Sequence, residues 1–260
     1  TEFPIFWYLI QFFLKYKKYT SANQLTVVLP GYSTSLTSKE MKVANNNSFV
    51  NLTIVKDYEI IQRVHSNLFT NNRKNILYLD LGAFSTKATV VNKENEIISY
   101  EFNEECGIEL VAYRQARQIF DSKDEDSNNY GNYVFKARNE AYNIISNESF
   151  YDDLFEQNLK KLIDNSISNS KSNTGSDFVI DEIILIGGGC ELPFVQKALE
   201  KVLNGKKFDL IEKVTNDIQK LNHITFFVEG CLLPPYNNSK SVFICHPLFV
   251  KYDDRVFKIK

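Results

Sequence analysis

The stretch NILYLDLGAFSTKATVVN, residues 75–92, decides the fold that we expect for this chain. Residues 76–81 form a short apolar run that is typical of a β-strand buried on both faces. The small residues of the segment 82–86 predict a tight turn. Residues 86–91 are rich in β-branched side chains and predict a second strand. The stretch therefore predicts a hairpin.

Asp80 lies near the end of the first strand, where a carboxylate is costly to bury unless a cation, a metal or hydrogen-bond donors meet it. The turn that follows offers backbone N–H groups and the hydroxyls of Ser85 and Thr86, which can hold a phosphate. The alternative is an ordinary hairpin with a capped turn. This stretch alone favours the ordinary hairpin.

Composition limits the classes of function. The chain has 260 residues and a net charge of −2, so it can form one large domain or two lobes and gives no reason to expect nucleic acid as a partner. No C-x-x-C pair occurs and the histidines are scattered, which argues against a zinc or redox site. A single disulfide between two of the four cysteines is still possible, but their spacing does not show which pair; the cysteines are Cys106, Cys190, Cys231 and Cys245.

N-x-[ST] sequons begin at Asn46, Asn51, Asn147 and Asn237. They argue weakly for a secretory compartment, because so asparagine-rich a chain supplies several by chance. The aromatic segment 3–19 is too short and too interrupted to span a bilayer. It predicts an amphipathic core helix beginning near Pro4, with a helix lying in a membrane interface as the alternative.

The remaining patterns predict a mixed α/β protein. Strands are expected at 24–29, 49–55 and 96–102, helices at 57–68, 107–120, 134–145 and 151–167, a polar linker at 168–176, and an alternating β-rich tail at 242–260.

A second glycine-containing element is EIILIGGGCELP, residues 182–193. An apolar strand ends at Gly187, Gly188 and Gly189, and a helix is predicted over 194–203. A backbone without side chains can approach a phosphate or nucleotide closely, and a helix N-terminus favours anions. Tight packing is the alternative reason for the glycines. The spacing is neither that of a Rossmann fingerprint nor that of a P-loop.

In their order, these motifs resemble the nucleotide-binding domain of the heat shock protein 70 family, which has the actin-like ATPase (ribonuclease H-like) fold. The chain is most similar to the family's large, divergent 110 and 170 kDa branch. The resemblance covers residues 4–233 and rests on LTVVLPGYST (25–34), VKDYEIIQRV (55–64), LDLGAFSTKATVV (79–91), CGIE (106–109) and ILIGGGCELPFVQKAL (184–199).

The resemblance implies an α/β protein made mainly of lobe II with part of lobe I. Residues 1–68 would be partial lobe I, residues 69–233 lobe II with a reduced IIB part, and residues 234–260 a linker and the start of a β-type substrate-binding domain. The family's opening phosphate hairpin and catalytic lysine would precede residue 1, so we expect a fragment or a chain that lost half of lobe I.

The resemblance also implies the roles of individual residues. Gly82, Ser85 and Thr86 would hold phosphate, and the turns at 79–87 and 186–190 would face one cleft. Asp80, as a metal ligand, and Asp57 would order the waters of Mg²⁺ and the attacking water. Nucleoside contacts would come from Ser146, Gly187, Gly188 and Gly189.

Several positions depart from the family pattern. Ala83 and Phe84 replace glycines, Lys87 replaces a second aspartate, and Glu191 replaces the arginine that stacks on adenine. Each change removes a donor, a charge or space, so we expect weak or absent hydrolysis.

Two functions follow from the resemblance. The first is a divergent chaperone domain that binds ATP or ADP with Mg²⁺. The second is a non-catalytic co-chaperone or nucleotide exchange factor that acts on a conventional heat shock protein 70, with unfolded proteins as further partners. A scaffold without a ligand is a third reading. The expected location is the endoplasmic reticulum lumen, with the cytoplasm as the alternative, and no membrane span is expected.

Overall fold

The computed structural model describes residues 24–32, 51–69, 74–121, 130–215, 221–233, 249–252 and 255–258. The chain divides into two compact units. The first unit contains Thr1–Arg63 and Gly230–Lys260, and the second contains Val64–Glu229. The helix predicted over 3–19 lies outside the described residues.

The first unit contains a parallel strand pair and a hairpin. Strand β1 (Gln24–Leu29) pairs in parallel with β2 (Asn51–Lys56), with Gln24 opposite Asn51. Helix α1 (Asp57–Leu68) begins directly after β2 with acidic residues in its first turn, where they complement the helix dipole. Strands β8 (Phe249–Tyr252) and β9 (Arg255–Lys258) pair antiparallel.

The second unit is built on a mixed five-stranded sheet in the order β5-β4-β3-β6-β7. Strands β3, β4 and β5 form an antiparallel meander, and β6 and β7 extend it in parallel with β3. The strands are β3 (Ile76–Leu81), β4 (Thr86–Val91), β5 (Ile97–Asn103), β6 (Glu182–Ile186) and β7 (Phe208–Leu210).

Helices connect these strands. A short 3₁₀ turn (Glu104–Cys106) leads into α2, and the helices are α2 (Ile108–Asp121), α3 (Tyr130–Ile145), α4 (Asp153–Thr174), α5 (Pro193–Leu203), α6 (Ile211–Val214) and α7 (Phe226–Gly230). In the described part of the chain, none of the helices is long and apolar enough to cross a membrane.

Strand β3 is buried along its whole length, as the apolar run predicts. Leu77, Leu79 and Leu81 belong to a core that includes Phe155 of α4 and Phe194 of α5. Burial of each such side chain is worth about 1.5–3 kcal/mol. On the opposite face, the Tyr78 hydroxyl lies 3.1 Å from His65 Nδ1 of α1. The sheet is therefore covered on both faces where β3 crosses it.

The prediction of a linker over 168–176 is wrong, because α4 continues to Thr174. Its polar side chains bond to the helix and to the sheet. Ser170 Oγ donates to the Ser166 carbonyl at 2.8 Å, and both serines are buried. Asn173 Nδ2 donates to the Ile98 carbonyl of β5 at 2.7 Å. A polar composition thus conceals a helix that is anchored on a neighbouring strand.

Candidate functional site

The hairpin turn (residues 82–85) and the glycine turn (residues 187–189) lie side by side in the second unit. Strands β3 and β6 are parallel neighbours with Asp80 opposite Ile186, so both turns leave the same end of the sheet. The Gly189 N–H donates to the Leu81 carbonyl at 2.9 Å and ties the two turns together. This end of the sheet is the candidate functional site.

The three glycines have different surroundings. Gly187 has φ of 92°, and a Cβ on it would lie 2.7 Å from both Asp80 Oδ1 and the Leu81 carbonyl oxygen. A Cβ on Gly189 would lie 2.6 Å from Ile108 Cγ1. A Cβ on Gly188 would meet no atom within 4 Å. Tight packing explains the first and third glycines, while Gly188 alone leaves its backbone open to a ligand.

Asp80 is met by a lysine of the adjacent strand. Lys87 lies opposite Asp80 in the β3–β4 pair, and its Nζ is 2.6 Å from Asp80 Oδ2. The two side chains are only 7% and 10% exposed, for Asp80 and Lys87 respectively. The Lys87 Nζ also lies 5.7 Å from the centroid of the Phe227 ring. The cation that compensates the buried Asp80 carboxylate is therefore an ammonium group of this chain.

The hydroxyl groups of the hairpin turn differ in their availability. Thr86 Oγ1 donates to the Cys106 carbonyl at 2.8 Å, so its proton is already used. Ser85 is 4% exposed, and its hydroxyl makes no hydrogen bond with the other described residues. The Gly82 N–H donates to the Ser85 carbonyl at 3.1 Å and closes the turn. Of the polar groups predicted to hold phosphate, the Ser85 hydroxyl is the available one.

The carbonyls of the hairpin turn cap helix α2. The N–H groups of Ile108 and Glu109 donate to the carbonyls of Gly82 and Ala83 at 3.2 and 2.8 Å. These donors are consequently occupied, and this helix N-terminus does not offer them to an anion. The Phe84 side chain at the tip of the turn is 78% exposed.

A buried histidine adjoins the glycine turn, and sequence reasoning missed it. The His223 carbonyl accepts a hydrogen bond of 2.9 Å from the Gly187 N–H. Its Nδ1 bonds to Glu212 Oε1, and its Nε2 lies 3.5 Å from Glu191 Oε2. Burial pushes the pKa of Glu212 upward, but hydrogen bonds from the His223 backbone and ring outweigh it and lower that pKa below its usual value. No motif spacing links His223 to the glycines, so only the fold reveals this cluster.

The two remaining predicted residues are Asp57 and Ser146. Asp57 belongs to the first unit, where its buried Oδ1 accepts hydrogen bonds from the N–H groups of Gly31 at 2.9 Å and Tyr58 at 2.7 Å. Ser146 lies in an exposed turn after α3, and its N–H donates to the Tyr142 carbonyl at 3.1 Å. None of the hydrogen bonds among the described residues joins Ser146 to the glycine turn.

The residues at this end of the sheet do not fit a divalent cation. Hard cations need several oxygen ligands, and the Asp80 Oδ2 that would supply one holds the Lys87 ammonium instead. Across the described ranges, no cluster of three or more His, Cys, Asp and Glu side chains is placed to bind a metal ion. Besides this ion pair, the site offers one buried hydroxyl and the open backbone of Gly188.

Comparison with known proteins adds no relative to this picture. No model of a known protein family matches the chain, and a search of curated proteins finds no significant match.

Proposed function

We propose that the chain is a divergent heat shock protein 70-like domain that binds ATP or ADP at the end of β3 and β6 and hydrolyses ATP weakly or not at all. The observation that carries this proposal is the direct attachment of the glycine turn to the hairpin turn, through the Gly189–Leu81 hydrogen bond of 2.9 Å. The mixed sheet, an antiparallel meander extended by two parallel strands, is consistent with the α/β class that the proposal requires.

The open backbone of Gly188 supports nucleotide approach. Phosphate and ribose groups need close contact with backbone atoms, which a side chain would prevent. Since nothing lies within 4 Å of a Cβ built on Gly188, this glycine is not needed for internal packing. A ligand that covers Gly188 would explain why this position has no side chain.

The Asp80–Lys87 ion pair supports weak or absent hydrolysis. Phosphoryl transfer depends on metal ions and charges that are organised around the transferred group. The Lys87 ammonium lies 2.6 Å from Asp80 Oδ2 and competes with Mg²⁺ for that carboxylate. We therefore expect nucleotide binding that depends little on Mg²⁺, with Lys87 as the nearest positive charge.

Titration calorimetry with ATP and ADP, in Mg²⁺ and in a chelator, tests the proposal. The Gly188→Val variant places a side chain in open space at a position without left-handed φ, so it should fold normally but block the ligand. Ser168→Val, on the exposed face of α4, is the control. We expect binding by the wild type and the control and at least tenfold weaker binding by Gly188→Val. Absence of heat at millimolar nucleotide, or unchanged binding by Gly188→Val, rejects the proposal.

The exposed Phe84 favours a second candidate function, that of a non-catalytic co-chaperone or nucleotide exchange factor for a conventional heat shock protein 70. Its ring is 78% exposed at the tip of a turn whose backbone is fixed against α2. Aromatic side chains, Phe included, are enriched in protein interfaces relative to the rest of the surface.

Release of fluorescent ADP from a conventional heat shock protein 70 tests this second function. We expect the wild type to accelerate release, Phe84→Ala to lose most of the acceleration, and Leu154→Ala, a truncation of an exposed side chain on α4, to keep it. No acceleration by the wild type counts against this function and leaves the nucleotide-binding proposal to its own experiment.

A further inference from the structure

The turn between α3 and α4 carries one of the sequons, Asn147-Glu148-Ser149, and all of its residues are exposed. The sequons at Asn46 and Asn237 fall outside the described residues. Asn51 is the first residue of β2 and pairs with Gln24. Asn147 is thus the sequon asparagine that the structure describes on an exposed turn.

We infer that Asn147 is an acceptor for N-glycosylation by a transferase that uses an oligosaccharide linked to a lipid diphosphate. The inference is independent of nucleotide binding. It depends on the chain entering a compartment that contains such a transferase.

The Asn147 carboxamide is arranged for this chemistry. Its Oδ1 accepts hydrogen bonds from the Ser149 N–H at 2.9 Å and from the Ser149 hydroxyl at 2.8 Å. Both donors stabilise the negative charge that the amide oxygen takes on when Nδ2 gives up a proton. Nδ2 makes no hydrogen bond with the described residues and belongs to an exposed side chain. The nucleophilic atom is therefore accessible.

The turn itself is held in place, so a glycan can be carried without unfolding its surroundings. The Phe150 N–H donates to the Asn147 carbonyl at 3.0 Å, and the Phe150 ring packs edge-on against Phe194 with centroids 5.3 Å apart. Lys197 Nζ of α5 donates to the Glu148 carbonyl. These contacts fix the backbone on α5 while the Asn147 side chain stays exposed.

The transfer is a substitution without oxidation or reduction. Nδ2 forms a bond to the anomeric carbon of the first sugar, and the bond from that carbon to the diphosphate oxygen breaks. The lipid diphosphate leaves with the bonding electron pair, and the Nδ2 proton passes to a base of the transferase. The sequon hydroxyl of Ser149 remains unmodified.

The test is translation of the full chain, preceded by a cleavable signal sequence, in the presence of microsomes derived from the endoplasmic reticulum. Asn46, Asn51 and Asn237 are replaced by Gln, so that Asn147 is the remaining sequon. We expect one shift in gel mobility that peptide-N-glycosidase F reverses, with Asn147 converted to Asp in the peptide mass spectrum.

Further variants separate the sequon from its surroundings. Asn147→Gln and Ser149→Ala should abolish the shift, Ser149→Thr should keep it, and Asn165→Gln, an exposed non-sequon asparagine of α4, should leave it unchanged. The chain with all its sequons intact is translated with the same microsomes and analysed by mass spectrometry, as a check that needs no variant. An unmodified Asn147 peptide in that chain, or a shift that survives Asn147→Gln, overturns the inference.

Discussion

Asp80 and Lys87 balance each other's charge within the second unit, and that balance determines what this end of the sheet can bind. A carboxylate and an ammonium 2.6 Å apart and almost fully buried depend on one another, because neither has water to replace its partner. The same pairing places the Lys87 ammonium at one of the two oxygens with which Asp80 would bind a metal ion. In the sequence, Lys87 is a departure from the family pattern. In the structure, it is the ion-pair partner of Asp80, the predicted metal ligand.

Replacement of Lys87 by Met should destabilise the protein by about 3–5 kcal/mol, because it leaves the Asp80 carboxylate buried without a partner. Urea denaturation of the variant measures this loss. The double variant Lys87→Met with Asp80→Asn should recover most of it, since no buried charge remains. Lys161→Met, at an exposed site on α4, is the control and should change stability little. A loss for Lys87→Met no larger than that of the control would contradict the ion pair.

His65 makes stability depend on pH. Burial lowers its pKa from 6.5 to about 4, and its Nδ1 accepts from or donates to the Tyr78 hydroxyl at 3.1 Å. Between these pH values, His65 is therefore protonated in the unfolded chain but not in the folded chain. The stabilisation is complete above pH 6.5 and is lost as the pH falls towards 4, by up to about 3 kcal/mol.

Denaturant titrations at pH 7 and at pH 4.5 measure this dependence. The His65→Phe variant keeps a ring next to Phe69 and Tyr78 but cannot titrate, so its loss of stability on acidification should be clearly smaller. Equal acid sensitivity of the variant and the wild type would show that other groups cause the dependence.

At the scale of single elements, the glycine turn contains one glycine that is required for packing, Gly189, and one that faces open space, Gly188. Gly189 packs against Ile108 and the Leu81 carbonyl, whereas Gly188 faces open space. Gly189→Ala should therefore cost about 1–3 kcal/mol through overpacking. Gly188→Ala should stay within about 0.5 kcal/mol of the wild type. Thermal denaturation of the two variants makes the comparison, and equal effects would contradict the assigned packing.

The sequence predicts elements where local pattern and tertiary packing agree. The bounds of β1, α1, β3 and β4 match the prediction, because each combines a clear periodicity with a turn or capping residue at its end. The Asp80–Lys87 pair is also predictable from the sequence. If Leu81 pairs with Thr86 across the turn, the antiparallel register places Asp80 opposite Lys87. The end of α4 was not predictable from composition. Its serines and asparagines are typical of a linker. The Ile98 carbonyl of β5, which anchors this end of the helix, becomes a partner only in the folded protein.

The candidate site shows the same limit. Convergence of the two turns depends on the β3–β6 pairing, which joins segments that are far apart in the chain. His223 bonds to both Glu212 and the glycine turn, and no local sequence pattern indicates these contacts. Sequence reasoning finds residues whose chemistry is concentrated in one motif and misses those that the fold assembles.

At the scale of the whole molecule, the second unit is a mixed α/β domain whose five-stranded sheet presents two turns at one end. The first unit carries Asp57 in a separate set of hydrogen bonds, to Gly31 and Tyr58. The proposed nucleotide-binding function is assigned to the sheet end of the second unit.

Backbone amide NMR of the full chain during addition of ADP, without Mg²⁺ and then with it, tests this central claim most directly. We predict saturable shifts at the amides of Gly188, Ser85 and Lys87, with little change when Mg²⁺ follows. Unshifted amides at these positions at millimolar ADP, or shifts that arise only elsewhere in the molecule, would contradict it.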